Sequence, residues 1–499
     1  MVESDIMDEK RVCIIGAGVS GLATAKVFLS RGHAVTVFER RAALGGVWAP
    51  QSRYPGVRLQ TKRQCYSFSD YPMPSHYPEF PSGQQVYEYL VSYAKNFGVD
   101  RTIRFSTEVQ SIHPRPDGAP GWRVDVRDLE TDSEIAQDFD FVVVCNGVFS
   151  EPSIPEFAGR DEFEANGGQV LHSSALRELD QIEGRSVLVV GFGKSALDIA
   201  EACLERARSC AIVARRIPWK VPHRIWGRVN IKHFILSRFT EIWYPHPDMR
   251  WARRFLHTRL SPLVNIYARL AEHIIGKQLG MLTPELRPEV PLLRTGGCVT
   301  LAVDNLRAVR NGSIVLHRGA LARFTRSGIE LDSGTRIAAQ TVVLATGFRQ
   351  RRPFLSEREE AALIDEDGAI LIYRSLVNPD IPAMGFNGYN GVGACQLAAE
   401  VGAVWLVRFM EGSLRLPDRT AMMATIREEI DLRKRLLSTR VEAGFYVTPF
   451  TFGYLDQLLR DLGLPPADQH RRLFDWLFTP LDPRDYKDLL ARSEAAGRA

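Results

Sequence analysis

Gly16, Gly18 and Gly21 follow one another as G-x-G-x-x-G, and Gly191 and Gly193 open a second loop, Gly191-Phe-Gly-Lys-Ser-Ala196. Backbone without Cβ atoms at this spacing turns tightly and brings its N–H groups against a pyrophosphate, which then rests on a helix N-terminus. The chemistry implied is dinucleotide binding. Glu39 stands 23 residues past Gly16, at the end of an apolar run, where a carboxylate accepts hydrogen bonds from a ribose. In the second unit that place belongs to Arg215-Arg216. A guanidinium pair clamps a 2′-phosphate, so the second loop is expected to prefer NADPH over NADH. The first loop alone suits NAD as well as FAD. The sequence shows no convincing catalytic triad, paired carboxylates or metal-ligand spacing.

Two β-α-β patterns must position these residues. Val12–Ile15 and Ala34–Phe38 are the strand-like runs of the first. Ser186–Val190, a helix over Leu197–Leu204, and Cys210–Ala214 make the second. Phe141–Cys145 is a buried strand ending at Asn146-Gly147, and Gln340–Ala345 runs in the same way into Thr346-Gly347-Phe348. Such turns pass close beneath a bound dinucleotide where the chain leaves or re-enters a nucleotide domain. Shorter β-like pieces are Ile103–Phe105, Val109–Ile112, Trp122–Val126, Val299–Ala302, Ser313–His317 and Ile329–Leu331. Helical patterns cover Gln84–Phe97, Ile231–Phe239, Leu263–Leu279, Ala394–Met410 and much of 415–480. The glycine-rich loop 385–393 leads into one of them. Residues 53–80, rich in tyrosine and proline, read as a long ordered loop, and 151–165 as a crossing between domains. The expected fold is α/β, with two Rossmann-like domains, the second inserted into the first. Its parts are 9–150, 151–334 with a helical insertion at about 217–290, 335–480, and a polar tail at 481–499.

A length of 499 residues accommodates two or three domains, and 45% hydrophobic with 24% charged residues is ordinary for a soluble globular chain. A net charge of +4 argues against nucleic acid as a partner. The seven cysteines (13, 65, 145, 203, 210, 298, 395) contain no CxxC pair, and the acidic start MVESDIMDEK is no signal peptide; both point to the cytoplasm. Residues 215–260 hold eleven Lys and Arg against Glu241 and Asp248, interleaved with Trp219, Trp226, Trp243 and Trp251. Two readings stay open: a basic amphipathic surface that rests on a membrane or captures an apolar substrate, or a helical cap with core tryptophans and solvated arginines.

One fingerprint ending in Glu39 and another in Arg215-Arg216 describe an enzyme that holds FAD and NADPH together. GAGVSG (16–21), ER (39–40), GGVW (45–48), FSDYPMP (68–74), VVVCNG (142–147), GFGKSA (191–196), LATGF (344–348) and the 385–393 loop follow in that order. In this order they resemble the flavin-containing monooxygenases, the class B flavoprotein monooxygenases, over roughly 10–480. The resemblance implies cofactor contacts from Gly16, Gly18, Ser20, Gly21, Glu39, Arg40, Gly46, Val47, Trp48, Val109 and Asn146. It implies further contacts from Gly191, Gly193, Lys194, Ser195, Ala196, Arg215, Arg216, Thr346 and Gly347. The animal members carry an asparagine ten residues before the FSD aspartate, against the flavin. Counting back from Asp70 gives Gln60, the candidate catalytic residue.

The family fingerprint FxGxxxHxxx followed by an aromatic is irregular here. Phe157-Ala-Gly159 fits its opening, but His172 lies too far along. Gly168–His172 keeps GxxxH, with Asn166 in the phenylalanine place and Leu176 in the aromatic place. The motif therefore does not sort the subclasses, and His172 reads as structural. The resemblance implies that NADPH reduces FAD, which adds dioxygen to form a peroxyflavin in a water-excluding site. One oxygen atom then passes to a nitrogen or sulfur of an apolar small molecule. Alternatives are Baeyer–Villiger oxygenation, oxidative decarboxylation of a 2-oxo acid, and an NADPH oxidase or non-oxygenating sensor. A flavin disulfide reductase is disfavoured by the missing CxxC. A homodimer is common in the family, and no counterpart of the animal enzymes' C-terminal anchor is expected.

Overall fold

Arg11–Ile15 (β1) is apolar after its first residue because it is covered on every side. It pairs in parallel with Ala34–Phe38 (β2) and Phe141–Val144 (β7), so both edges and both faces are buried. The fold is described from a computed structural model for residues 8–245, 251–295, 299–301, 306–436 and 450–498. Val19–Ser30 (α1) joins β1 to β2. Gly83–Asn96 (α2) starts at a capping box formed by Ser82 and Gln85. The first sheet runs β22-β7-β1-β2-β3, with Ile103–Arg104 (β3) and Met384–Phe386 (β22) at its edges. Thr107–Pro114 (β4), Trp122–Asp128 (β5) and Glu134–Phe139 (β6) form an antiparallel sheet. Its Trp122, Val124 and Val126 bury against Cys13, Ile15, Val142 and Val144.

The second unit repeats this plan. The chain leaves through Glu151–Pro152 (β8) and Arg160–Ala165 (α3), then builds Gln169–His172 (β9), Ser186–Val190 (β10), Lys194–Arg206 (α4) and Ser209–Ala214 (β11). Val315–Arg318 (β16) and Thr341–Leu344 (β20) complete a five-stranded sheet, β16-β11-β10-β20-β9. Leu321–Thr325 (β17), Gly328–Leu331 (β18) and Arg336–Ala338 (β19) supply an antiparallel appendage like β4–β6. Phe348–Arg349 (β21) returns antiparallel to β8. Because β20 lies between β10 and β9, the second unit ends after Leu344 and not at the expected 334.

Between β11 and β16 lies the insertion. Lys220–Pro222 (β12) pairs with Val299–Leu301 (β15), and Arg224–Ile225 (β13) with Val229–Asn230 (β14). Lys232–Ile235 (α5), Arg238–Ile242 (α6), Trp251–Thr258 (α7), Ser261–Leu279 (α8) and Arg307–Arg310 (α9) follow. The helix expected over Ile231–Phe239 is two helices, because Ser237 is extended between them (φ −133°, ψ 163°). That break turns Arg238 into the interior, where it forks onto Asp456 (2.6 Å) and Asp468 (2.7 Å). Its guanidinium also lies over the rings of Phe452 and Trp476. Asp248, Arg250 and Ala302 lie outside the described residues, as does 437–449 of the expected helical run.

The C-terminal part adds Glu357–Leu363 (α10), Cys395–Met410 (α11), Arg419–Leu436 (α12), Thr451–Asp461 (α13), Leu473–Phe478 (α14) and Leu489–Arg498 (α15). Residues 396–407 of α11 are all buried, packed on α1 and α13. The expected polar tail at 481–499 is instead part of the body. Leu481, Tyr486 and Leu489 are buried in the first core, and Glu494 pairs with Arg31.

Glu241 on α6 caps α13 from outside, accepting the N–H groups of Phe452 (2.6 Å) and Gly453 (3.1 Å). Burial pushes its pKa up to about 7, against the opposing pull of these donors and of Arg238 and Arg253. A carboxyl raised above its unfolded value stabilises the fold most below that unfolded value, 4.5, and the contribution is lost as pH rises to about 7. The melting temperature should therefore fall over that window, and Glu241→Gln should flatten the slope. A variant with the wild-type slope would show that Glu241 is ionised throughout.

Candidate functional site

Gly16 ends β1 in the left-handed region (φ +102°), and a Cβ there would lie 2.7 Å from the Cys145 carbonyl oxygen. Gly191 matches it at φ +129°, with a Cβ position 2.6 Å from the Ala345 carbonyl oxygen. Each glycine loop thus lies on one of the two crossover turns, Cys145-Asn146-Gly147 and Ala345-Thr346-Gly347. Gly18 and Gly193 are the N-caps of α1 and α4, and no side chain caps either helix. A Cβ on Gly18 would meet only Gly46 Cα at 3.7 Å, and one on Gly193 nothing within 4 Å. The middle glycine of each loop therefore faces an open cradle beside unsatisfied helix N–H groups, which is what a pyrophosphate requires. At Gly21 a Cβ would stand 1.9 Å from the Gly16 carbonyl, so that position holds helix to strand.

Glu39 is buried, and its two oxygens accept the N–H groups of Ala17 (2.8 Å) and Arg41 (2.9 Å). Each oxygen keeps a second lone pair for a ribose hydroxyl. Arg40 is exposed and pairs with Glu108. Gly45 donates to the Ala17 carbonyl (2.8 Å), which lays Gly46 along Gly18. Val47 is exposed, while Trp48 is buried with its Nε1 donating to Tyr66 Oη (2.8 Å). Ser20 abuts Gly388, bringing the 385–393 loop to the N-terminus of α1. In that loop Asn390 Nδ2, and just past it Gln396 Nε2, are buried without a protein acceptor. Orphan donors next to a Cβ-free cradle fit the polar edge of a flavin.

Several predicted positions are committed to the protein. The Val109 side chain packs in the core behind β1, leaving only its backbone for a cofactor. Asn146 receives the Tyr389 hydroxyl at Oδ1 (2.7 Å) and donates through Nδ2 to the Arg351 carbonyl (2.7 Å). Thr346 Oγ1 donates to the Ser153 carbonyl. Gly347 offers its carbonyl to Ser153 N–H and to His172 Nε2 (both 2.9 Å). His172 Nδ1 accepts the Ser174 N–H, and burial lowers its pKa, so this neutral ring pins β9 to the crossover. Leu176 is fully buried in the core of the second unit, and Asn166 is exposed at the end of α3.

At the second loop, Ala196 is buried, so it offers backbone alone. Lys194 pairs with Asp198, which also accepts the Tyr54 hydroxyl (3.1 Å), and that hydroxyl hydrogen-bonds Ser195. Arg215 and Arg216 stand exposed where β11 ends, with no ion pair among the described residues. Sequence reasoning missed Lys220. It is fully buried under the loop, and its Nζ donates to the Phe192 carbonyl (2.6 Å). Nothing in Trp219-Lys-Val-Pro222 distinguished it from its solvated neighbours.

Gln60 is half-buried on the loop that leads to the turn Arg63–Tyr66, and Tyr66 in turn holds Trp48. The FSD motif is a fastening. Phe68 stacks on Tyr93 at 4.0 Å, Ser69 donates twice to Glu400, and Asp70 pairs with Lys26 at 2.6 Å. It thereby ties the loop to α1, α2 and α11.

A family model described as FMO-like, flavin-binding monooxygenase-like, matches residues 9–468. The chain belongs to this family. It is an NADPH-dependent flavin monooxygenase whose cofactors are FAD and NADPH. A rat relative, dimethylaniline monooxygenase [N-oxide-forming] 2, is 29% identical, and the match covers 92% of this chain and 83% of the relative. The S-allyl-L-cysteine S-oxygenase of Allium sativum shares the fold at a TM-score of 0.63 and 20% identity, covering 98% of both chains. A cyclohexanone monooxygenase structure aligns at a TM-score of 0.67 and 18% identity, covering 91% of this monooxygenase and 97% of that chain. Among the described residues no helix is long and apolar enough to cross a membrane.

Proposed function

We propose that this monooxygenase transfers one oxygen atom of dioxygen to a nitrogen or sulfur atom of an apolar small molecule. NADPH supplies two electrons, and the second oxygen atom leaves as water. FAD, when bound, takes the hydride and activates dioxygen. The chain's own part is to bind both dinucleotides, exclude water and set the charge around the reacting oxygen. The observation that carries the reading is how the cations on the loop next to Gln60 are engaged by the protein itself. Lys62 pairs with Glu79 at 2.5 Å, and Arg63 donates to the Tyr77 carbonyl at 2.5 Å. Gln60 itself is neutral. An oxygen donor held by a carboxamide stays protonated and electrophilic, which suits a soft amine or sulfide. Insertion beside a ketone needs a cation to hold an anionic donor. The name of the rat relative, an N-oxide former, supports the same chemistry.

The test presents FAD-loaded protein and NADPH with a tertiary amine, a thioether, a cyclic ketone and a 2-oxo acid, and identifies products by mass spectrometry. An N-oxide or sulfoxide formed in step with NADPH loss is expected. A lactone or a decarboxylated acid as the main product overturns the reading, and hydrogen peroxide alone marks an oxidase. Gln60→Ala should leave flavin reduction by NADPH near normal while hydrogen peroxide release rises several-fold. Release at the wild-type level would remove Gln60 from the flavin's surroundings.

A further inference from the structure

The hairpin of α7 and α8 has one occupied face and one open face. Inward, Arg253 donates to the carbonyls of Glu241 and Tyr244, His257 meets the Ile242 carbonyl at 2.8 Å, and Trp243 stacks on Tyr267 at 3.8 Å. Outward, Trp251, Phe255, Leu263, Ile266 and Leu270 are exposed, Trp251 by 81% and Ile266 by 61%. Their spacings, 251/255 and 263/266/270, put each set on a single helix face. Interleaved are Arg254, Arg259, Arg269 and Lys277, exposed and without an ion pair among the described residues.

Residues 251–280 contain five Lys and Arg against one acid, Glu272, which faces inward to the Leu292 N–H (2.8 Å). With Arg253 and Glu272 both turned inward, the outward side of this stretch carries four cations and no acid. Nearby on α14, Leu473 and Phe474 are also exposed, and rings Phe474, Phe478, Phe239 and Tyr267 run in contact from α14 to α8.

We propose that this face docks the enzyme on an anionic lipid bilayer, with the apolar stripe entering the headgroup boundary and the cations meeting lipid phosphates. A second copy of the chain fits less well, because a two-fold contact would bring this cation-bearing face against an identical cation-bearing face. The same insertion closes over the loop at 53–80. Arg224 and Asn230 bind Glu79 at 2.6 and 3.1 Å, and His223 stacks on Phe80 at 3.9 Å. Docking therefore brings the wall of the expected substrate region to the reservoir in which apolar molecules dissolve.

The experiment floats FAD-loaded full-length protein with phosphatidylcholine vesicles, with and without phosphatidylglycerol, at low and high salt. Binding to the anionic vesicles is expected, at least tenfold weaker on neutral ones and reversed by salt. Ile266→Asp with Leu270→Asp, and separately Arg254→Ala with Arg259→Ala and Arg269→Ala, should each reduce it at least tenfold. Flavin content and NADPH oxidation in vesicle-free buffer should stay unchanged, which shows that the variants are folded. Failure of the wild type to bind anionic vesicles overturns the proposal, as does binding indifferent to both variants. A wild-type dimer that Ile266→Asp with Leu270→Asp dissociates would assign the face to a second copy. Partitioning is read without turnover, so its failure is separate from any failure of the oxygen-transfer reading.

Discussion

Gly16→Ala is expected to give a protein that is unstable before it meets any cofactor and is isolated without FAD. Glycine fingerprints invite the explanation that a methyl group would block the pyrophosphate. The geometry locates the damage elsewhere. Gly16 has φ +102°, which L-residues rarely adopt, and its Cβ would press to 2.7 Å on the Cys145 carbonyl. Strain and overpacking together cost on the order of 3 kcal/mol. Gly18→Ala is the informative contrast. Gly18 has an ordinary φ of −77°, and its Cβ would meet only Gly46 Cα at 3.7 Å. That variant should fold with a near-normal melting temperature yet hold FAD weakly, because its methyl group enters the cradle. Flavin-to-protein absorbance ratios and melting curves of the two variants check this pair. A Gly16→Ala protein with full flavin and wild-type melting would overturn the account.

Replacing Arg215 and Arg216 together by alanine is expected to remove most of the preference for NADPH over NADH. The kcat/KM for NADPH should fall by roughly a hundredfold, the value of one or two charge-assisted contacts to a phosphate. Turnover with NADH should hardly change. The neighbouring cations are occupied, Lys194 by Asp198 and Lys220 by the Phe192 carbonyl, whereas the two arginines stand exposed at the strand end. Steady-state kinetics with both coenzymes decide the matter. Unchanged discrimination would place the phosphate clamp elsewhere.

Both glycine loops were readable because a strand, a Cβ-free turn and a helix are adjacent in sequence. Even the mirror between the Cys145 and Ala345 turns was visible as two apolar runs ending in glycine. Which sheet the second run joins was not visible. Gln340–Ala345 has the composition of any buried parallel strand, and only its pairing with β9 and β10 assigns it. The strands β6 and β19 escaped notice because their exposed positions outnumber their buried ones, and β17 because its buried and exposed positions are equal in number and do not alternate. Composition also misled at 481–499, where a polar segment is secured by three apolar anchors, Leu481, Tyr486 and Leu489. Lys220, Glu241 and the fork of Arg238 depend on partners far away in sequence, so no local pattern could announce them. The basic run at 215–260 divided between its two readings. Lys220 and Arg238 are interior and Trp219 is core, while Trp226 and Trp251 face outward.

The pairing of β8 with β21 sets Glu151 beside Arg349 and Pro152 beside Phe348. Everything between them forms the coenzyme-binding half, so that half enters and leaves the molecule through one doorway only about 5 Å wide. Ser153 N–H to the Gly347 carbonyl and the Arg351–Glu151 ion pair close the frame. Such a segment behaves as a cassette. It can be exchanged for the matching segment of an NADH-using homologue without rerouting the rest of the chain, provided the contacts of Arg238 and Glu241 with Asp456, Asp468 and α13 are kept. Coenzyme choice in this architecture can change without altering the parent sheet, because the chain crosses between the two units only at one pair of short strands.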